Sequence, residues 1–67
     1  MTEKELMQYV HSYEFDTIMA HIDAYSDISL NSIKRIWRDE NNIICIEYKA
    51  NGDFKGNWWH YDDLSWW

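Results

Sequence analysis

Proline is absent from this 67-residue chain, glycine occurs twice and cysteine only once, at Cys45. One cysteine cannot close an internal disulfide, so no covalent staple holds the fold. The lack of proline and scarcity of glycine exclude linkers, low complexity and intrinsic disorder. No run approaches the roughly 20 apolar residues that a membrane-spanning helix needs. The opening Met1-Thr2-Glu3-Lys4-Glu5 is acidic and leads into no apolar stretch of the kind a secretory signal carries, which points to a cytoplasmic protein. Basic residues are few as well: six Lys and Arg stand against twelve Asp and Glu, for a net charge of −6.

What the chain has in quantity is aromatic side chains. Five Trp, five Tyr and two Phe occur in a length that suffices for one domain, residues 1–67. A domain this small buries a limited fraction of its surface, so its core must be dense. Each aromatic ring can bury on the order of 150–250 Å². The rings thus stand in for the disulfide or metal that small scaffolds otherwise use. Cys45, set among isoleucines, reads as a small buried hydrophobe in a reducing compartment.

The charge is unevenly placed. Residues 1–32 hold six acids and one base, whereas residues 33–67 hold six acids and five bases. Such a field repels phosphate backbones and attracts basic surfaces. Direct nucleic-acid binding is therefore disfavoured and a basic protein partner is favoured; no membrane partner is expected, for want of an apolar run. The plain competing account is that acidity keeps an aromatic-rich domain soluble.

The pattern changes once along the chain. Thr2-Glu3-Lys4-Glu5 matches a capping box, in which Thr2 and Glu5 each satisfy the other's backbone N–H. Leu6, Tyr9, Val10 and Tyr13 then fall within about 100° on a helical projection. Phe15, Ile18, Met19, Ile22 and Tyr25 form a second coherent stripe on nearly the opposite side. One straight helix with one buried face cannot serve both, so a break is expected near Ser12–Glu14. A single helix buried on both sides is the alternative. The helical part spans about residues 3–26. After Asp27–Ser32 the period shortens. Ile33–Arg38, Ile43–Lys49 and Phe54–Tyr61 read as three short strands over about residues 33–61, followed by an aromatic tail at 62–67. The fold class is α+β, with one or two N-terminal helices packed on a three-stranded antiparallel meander.

Turn chemistry suggests the pairing. A four-residue loop, Asp39-Glu40-Asn41-Asn42, places Lys34 opposite Glu47. A two-residue turn at Asn51-Gly52, both tolerant of positive φ, places Ile44 opposite Trp59. One face then carries Ile33, Trp37, Ile44, Ile46, Tyr48 and Trp59 and receives the helices. The other carries Lys34, Ile36, Ile43, Cys45, Glu47, Phe54 and Trp58. That second face is half apolar, with only the Asp62–Trp67 tail left to cover it.

Motifs for chemistry are lacking. His11, His21, His60 and Cys45 lie far apart in metal-site terms, and His60-Tyr61-Asp62-Asp63 would point its side chains in different directions. No metal and no cofactor is expected. Cys45 lies mid-strand, where burial raises a thiol pKa, and no histidine neighbours it in sequence, so no catalytic residue is assigned. The two glycines form no phosphate loop. An enzyme is not expected. His21 sits at the edge of both stripes, as a partly buried, hydrogen-bonded histidine would. Lys34, Arg35, Arg38, Lys49 and Lys55 near Trp37 and Trp58 would suit single-strand nucleic-acid binding, but neighbouring acids dilute them.

Asp16, Asp23 and Asp27 are a sharper signal. They project within about 40° of one another, opposite the second apolar stripe, with no Lys or Arg at i±4 to neutralise them. Together with Trp58, Phe54, Trp66 and Trp67, side-chain types that dominate interface hot spots, they form the expected partner-binding set. In size, acidity and lack of motif the chain resembles the small acidic inhibitors that bacteriophages encode against host defence nucleases, and bacterial immunity proteins that block nucleases. That likeness rests on no particular residue. It implies a cytoplasmic protein of the bacterial host cell that occupies the nucleic-acid-binding surface of a basic partner. The expectation from another class is a non-inhibitory module that self-associates, as a homodimer, through the apolar sheet face.

Overall fold

The computed structural model describes residues 1–49 and 57–67. Among them the chain forms helices α1 (Glu3–Met7) and α2 (Ser12–Ala24), a single turn of tighter helix at Leu30–Ser32, and four strands. These are β1 (Ile33–Arg38), β2 (Ile44–Tyr48), β3 (Trp58–Asp62) and β4 (Ser65–Trp66), antiparallel throughout and arranged in chain order. The architecture is the α+β arrangement expected, with a fourth short strand added.

The capping box forms as its residues dictate. Glu5 N–H donates to Thr2 Oγ1 at 3.1 Å and Thr2 N–H donates to Glu5 Oε1 at 3.0 Å. The break between the helices falls at Gln8–His11, earlier than the apolar stripes suggest. The cause is a second cap: His11 N–H donates to Glu14 Oε1 at 2.7 Å, which starts a new helix there. Leu6 and Tyr13 therefore lie on different helices. Leu6 is fully buried, Val10 packs at the core edge, and Tyr9 and Tyr13 are exposed.

Helix α2 is rotated relative to its apolar stripe. Its buried residues are Glu14, Thr17, Ile18 and His21, while Phe15 and Ile22 flank the core and Tyr25 is exposed. Polar side chains occupy the buried face because each finds a partner across the interface, which removes most of the cost of desolvating it. Leu64 N–H donates to Thr17 Oγ1 at 3.2 Å, and the partners of Glu14 and His21 are described below.

The sheet register differs from the expected one in two places. Ile33 pairs with Tyr48, but Arg35, not Lys34, stands opposite Glu47, because a bulge between Ile33 and Arg35 leaves Lys34 unpaired. An extra residue reverses parity beyond it. Ile33 and Ile36, three apart, thus both reach the core, and Trp37 turns to the far face beside Cys45, the reverse of the expected facing of Ile36 and Trp37. The second difference is a slide of two residues. Ile44 pairs with Tyr61 and Ile46 with Trp59, rather than Ile44 with Trp59. Tyr48 N–H donates to Asn57 O at 2.9 Å and holds this register. An even slide preserves parity, so Trp59 still faces the helices and Trp58 the far side. The Asn51-Gly52 turn lies outside the described residues.

The C-terminal segment joins the sheet rather than lying across it. Tyr61 pairs with Trp66 and Asp62 with Ser65, through a tight turn in which Leu64 takes φ 57°. The core lies between helices and sheet. It contains Leu6, Ile18, Ile28, Ile44, Ile46, Tyr48 and Tyr61, with Ile33, Ile36, Trp59 and Trp66 packed against it. Among the described residues no helix is long and apolar enough to cross a membrane.

Candidate functional site

The outer face of α2 is one candidate surface. Tyr13, Asp16, Ala20 and Asp23 are all exposed and recur at helical spacing, within about 80° on the projection. None of these acids forms an ion pair among the described residues. His11 stacks flat on Tyr13, with ring centroids 5.9 Å apart. Asp27 is exposed too, but α2 ends at Ala24, so Asp27 lies in the following turn and not in the helical row expected for it.

Both arginines are engaged with acids other than Asp16, Asp23 and Asp27. The Arg38 guanidinium grips Glu14 with two parallel bonds, Nη1 to Oε2 at 3.0 Å and Nη2 to Oε1 at 2.9 Å, and Nη1 also donates to Asn42 O. Burial pushes the Glu14 carboxyl pKa up, but the bonds from Arg38 and from His11 N–H outweigh it, leaving the pKa below the usual carboxylate value. Arg35 pairs with Glu47 at 3.4 Å and lies over the Trp37 ring at 4.3 Å. Arg35 and Arg38 thus serve opposite faces of the sheet and form no joint basic patch, and Lys55 lies outside the described residues.

The far face of the sheet is the second candidate. Trp37 and Trp58 meet at 5.5 Å, Trp58 and His60 at 4.9 Å, and Trp67 lies parallel on His60 at 4.9 Å. Trp58 is 41% exposed and Trp67 52%. Beneath them Asp39, Cys45 and His60 bring one potential ligand atom each within 4.8 Å of the others. Burial, then the nearby Asp39 charge, pushes the Cys45 thiol pKa up. This group was not legible as a motif, because it joins a loop and two strands. His60-Tyr61-Asp62-Asp63, the grouping visible in sequence, does not come together: Tyr61 enters the core while His60 turns to the far face.

A third polar group is internal. Tyr61 Oη lies 2.6 Å from His21 Nδ1 and 2.7 Å from Tyr48 Oη, making a buried chain across the helix–sheet interface. Rings of Tyr25, Trp59, Tyr61 and Trp66 surround His21 at centroid distances of 4.7–5.4 Å. Burial lowers the His21 pKa to about 4, and it pushes Tyr48 up to about 12 and Tyr61 higher still. His21 is fully buried, not partly so as expected, and its Nε2 has no hydrogen-bond partner among the described residues. The arrangement organises the core.

The expected partner-binding set is therefore dispersed. Asp16, Asp23 and Asp27 lie on the helical side, Trp58 and Trp67 on the far side of the sheet, and Trp66 is docked against His21 in the core. Phe54 lies outside the described residues. Comparison with known proteins finds no protein family, no curated protein and no solved structure that matches this chain.

Proposed function

We propose that this domain is a protein-binding inhibitor that uses the acidic outer side of its helical layer to occupy the basic, nucleic-acid-binding surface of a partner. A phage-encoded anti-defence protein or an immunity-like nuclease blocker is the form of that role which suits its size and charge. The observation that carries this reading is the acidic row on α2, which forms no ion pair among the described residues. Asp16 and Asp23 stand about 10 Å apart along the axis, flanked by Tyr13 and followed by Asp27 in the next turn. Carboxylates at such a pitch meet cations that otherwise hold phosphates, and an exposed tyrosine offers an anchor that loses little entropy on binding. Trp58 and Trp67 belong to the opposite side and are no part of this contact.

The test compares wild type with the D16N/D23N/D27N variant in affinity capture from cell lysate, at low and raised salt. The partner should be a basic protein that free DNA or RNA displaces. The variant should capture it at least tenfold more slowly at low salt, with a weaker salt dependence. Equal capture by the triple variant, or a complex indifferent to nucleic acid, rejects the reading.

Self-association through the sheet is the second reading, favoured by the exposure of Trp58 and Trp67 beside Trp37. An apolar dimer persists at high salt. Sedimentation of wild type and Trp58→Ser in high salt therefore separates it from electrostatic capture of a basic partner.

A further inference from the structure

On the far face of the sheet the loop after β1, the middle of β2 and the middle of β3 converge at Asp39, Cys45 and His60. Their donor atoms lie within 4.8 Å of one another, with His60 Nε2 already 3.9 Å from Asp39 Oδ2. We propose that these three side chains bind a single zinc ion, which staples three consecutive segments of the sheet.

Two of the three side chains are oriented by other partners for ligation. His60 Nδ1 lies 3.2 Å from the Trp67 carbonyl oxygen. A carbonyl only accepts, so the neutral ring carries its proton on Nδ1 and leaves the Nε2 lone pair directed at Asp39. A second partner that fixes the tautomer in this way is the usual companion of a metal-binding histidine. Trp67, stacked on the ring, fixes its plane. Asp39 is oriented with equal care. Its Oδ1 accepts the N–H groups of Asn41 and Ile43 at 2.8 and 3.0 Å, which pins the carboxylate and leaves Oδ2 without a hydrogen-bond donor among the described residues. Cys45 Sγ makes a weak contact 3.5 Å from Ile43 O.

The donor set and spacing select the ion. Zinc bonds of about 2.0–2.3 Å set ligand–ligand edges of about 3.3–3.7 Å, so an inward movement of about 1 Å closes the triangle. Sulfur, imidazole and carboxylate together suit zinc, whereas calcium and magnesium prefer oxygen alone. A water molecule completes the tetrahedron from the side where Asp39 and His60 reach solvent. Binding requires the thiolate, so the Cys45 proton is released to water as the Sγ–metal bond forms. A chain with no disulfide gains from such a staple, because an ion that binds only the folded state stabilises it by mass action.

The test uses the full chain, stripped with EDTA and titrated with Co²⁺, then Zn²⁺. One Co²⁺ per chain should bind with thiolate-to-cobalt charge-transfer absorption that Zn²⁺ abolishes. Saturating Zn²⁺ should raise the thermal midpoint by several degrees, and EDTA should reverse the shift. Cys45→Ser tests packing as well as ligation, since Cys45 is fully buried. His60→Phe therefore decides: it keeps a ring on Trp67, should match metal-free wild type in its circular dichroism, and should weaken Zn²⁺ binding at least tenfold. The proposal fails if wild type shows neither the charge-transfer band nor a zinc-dependent midpoint. It also fails if His60→Phe binds zinc within twofold of wild type, which would put the ion on the surface acids.

Discussion

His21 and Glu14 are single residues whose titration should dominate the acid stability of the domain. A histidine in the unfolded chain takes up a proton near its ordinary pKa of 6.5, whereas folded His21 resists until about pH 4. Between these values the unfolded state binds more protons, so stability falls as pH drops through the window, by roughly 3 kcal/mol in all. Glu14, held below its ordinary value of 4.5 in the fold, adds a further loss as pH falls below that value. Urea unfolding at pH 7, 5.5 and 4.5 should show a steadily falling midpoint. Replacing His21→Gln should flatten the change between pH 6.5 and 4.5, whatever it costs at neutral pH. Parallel profiles for variant and wild type would show that the buried imidazole is not the source.

The β3–β4 hairpin shows an element built around one unfavourable residue. Leu64 occupies the left-handed region at φ 57° and is 88% exposed, so its side chain gains little from packing. A branched side chain there costs roughly 1–2 kcal/mol, a penalty that asparagine largely avoids. The β1–β2 loop makes the contrast, since Asn42 already fills its own left-handed position at φ 64°. Leu64→Asn should therefore stabilise the domain by about 0.5–1 kcal/mol, read as a rise in urea midpoint with unchanged slope. A fall in the midpoint would mean that Leu64 contributes packing its exposure does not reveal. The helices follow the same local logic: Thr2 with Glu5, and Glu14 with His11, decide where each begins. Of these the first was legible as a capping box. The second was not, because its start residue is a histidine.

At the scale of the molecule, charge is the dominant property. Glu3, Glu5, Asp16, Asp23, Asp27, Glu40, Asp62 and Asp63 form no ion pair among the described residues, against a net charge of −6. Their mutual repulsion opposes the folded state and is screened by salt. Raising ionic strength from about 0.01 M to 0.15 M shortens the screening length from about 30 Å to 8 Å. The thermal midpoint should rise across that interval at pH 7, and rise less in D16N/D23N/D27N. A midpoint independent of salt in both proteins would show that the acids are too dispersed to repel.

Composition and period alone determined the class of this protein: two helical stripes, then short strands, held by aromatics in place of a disulfide. The acidity of the helical side was equally legible, since charge is a property of each residue by itself. Tertiary structure decided which residues meet. The bulge at Lys34 exchanged the faces of Ile36 and Trp37, and no turn residue announces it, because the gain comes from burying Ile33 and Ile36 together. The rotation of α2 depended on partners for Glu14, Thr17 and His21 that lie 24 to 47 residues away in the chain. Asp39, Cys45 and His60 came together for the same reason. Their proximity is set by strand register, which is a property of the packed sheet and of no segment within it.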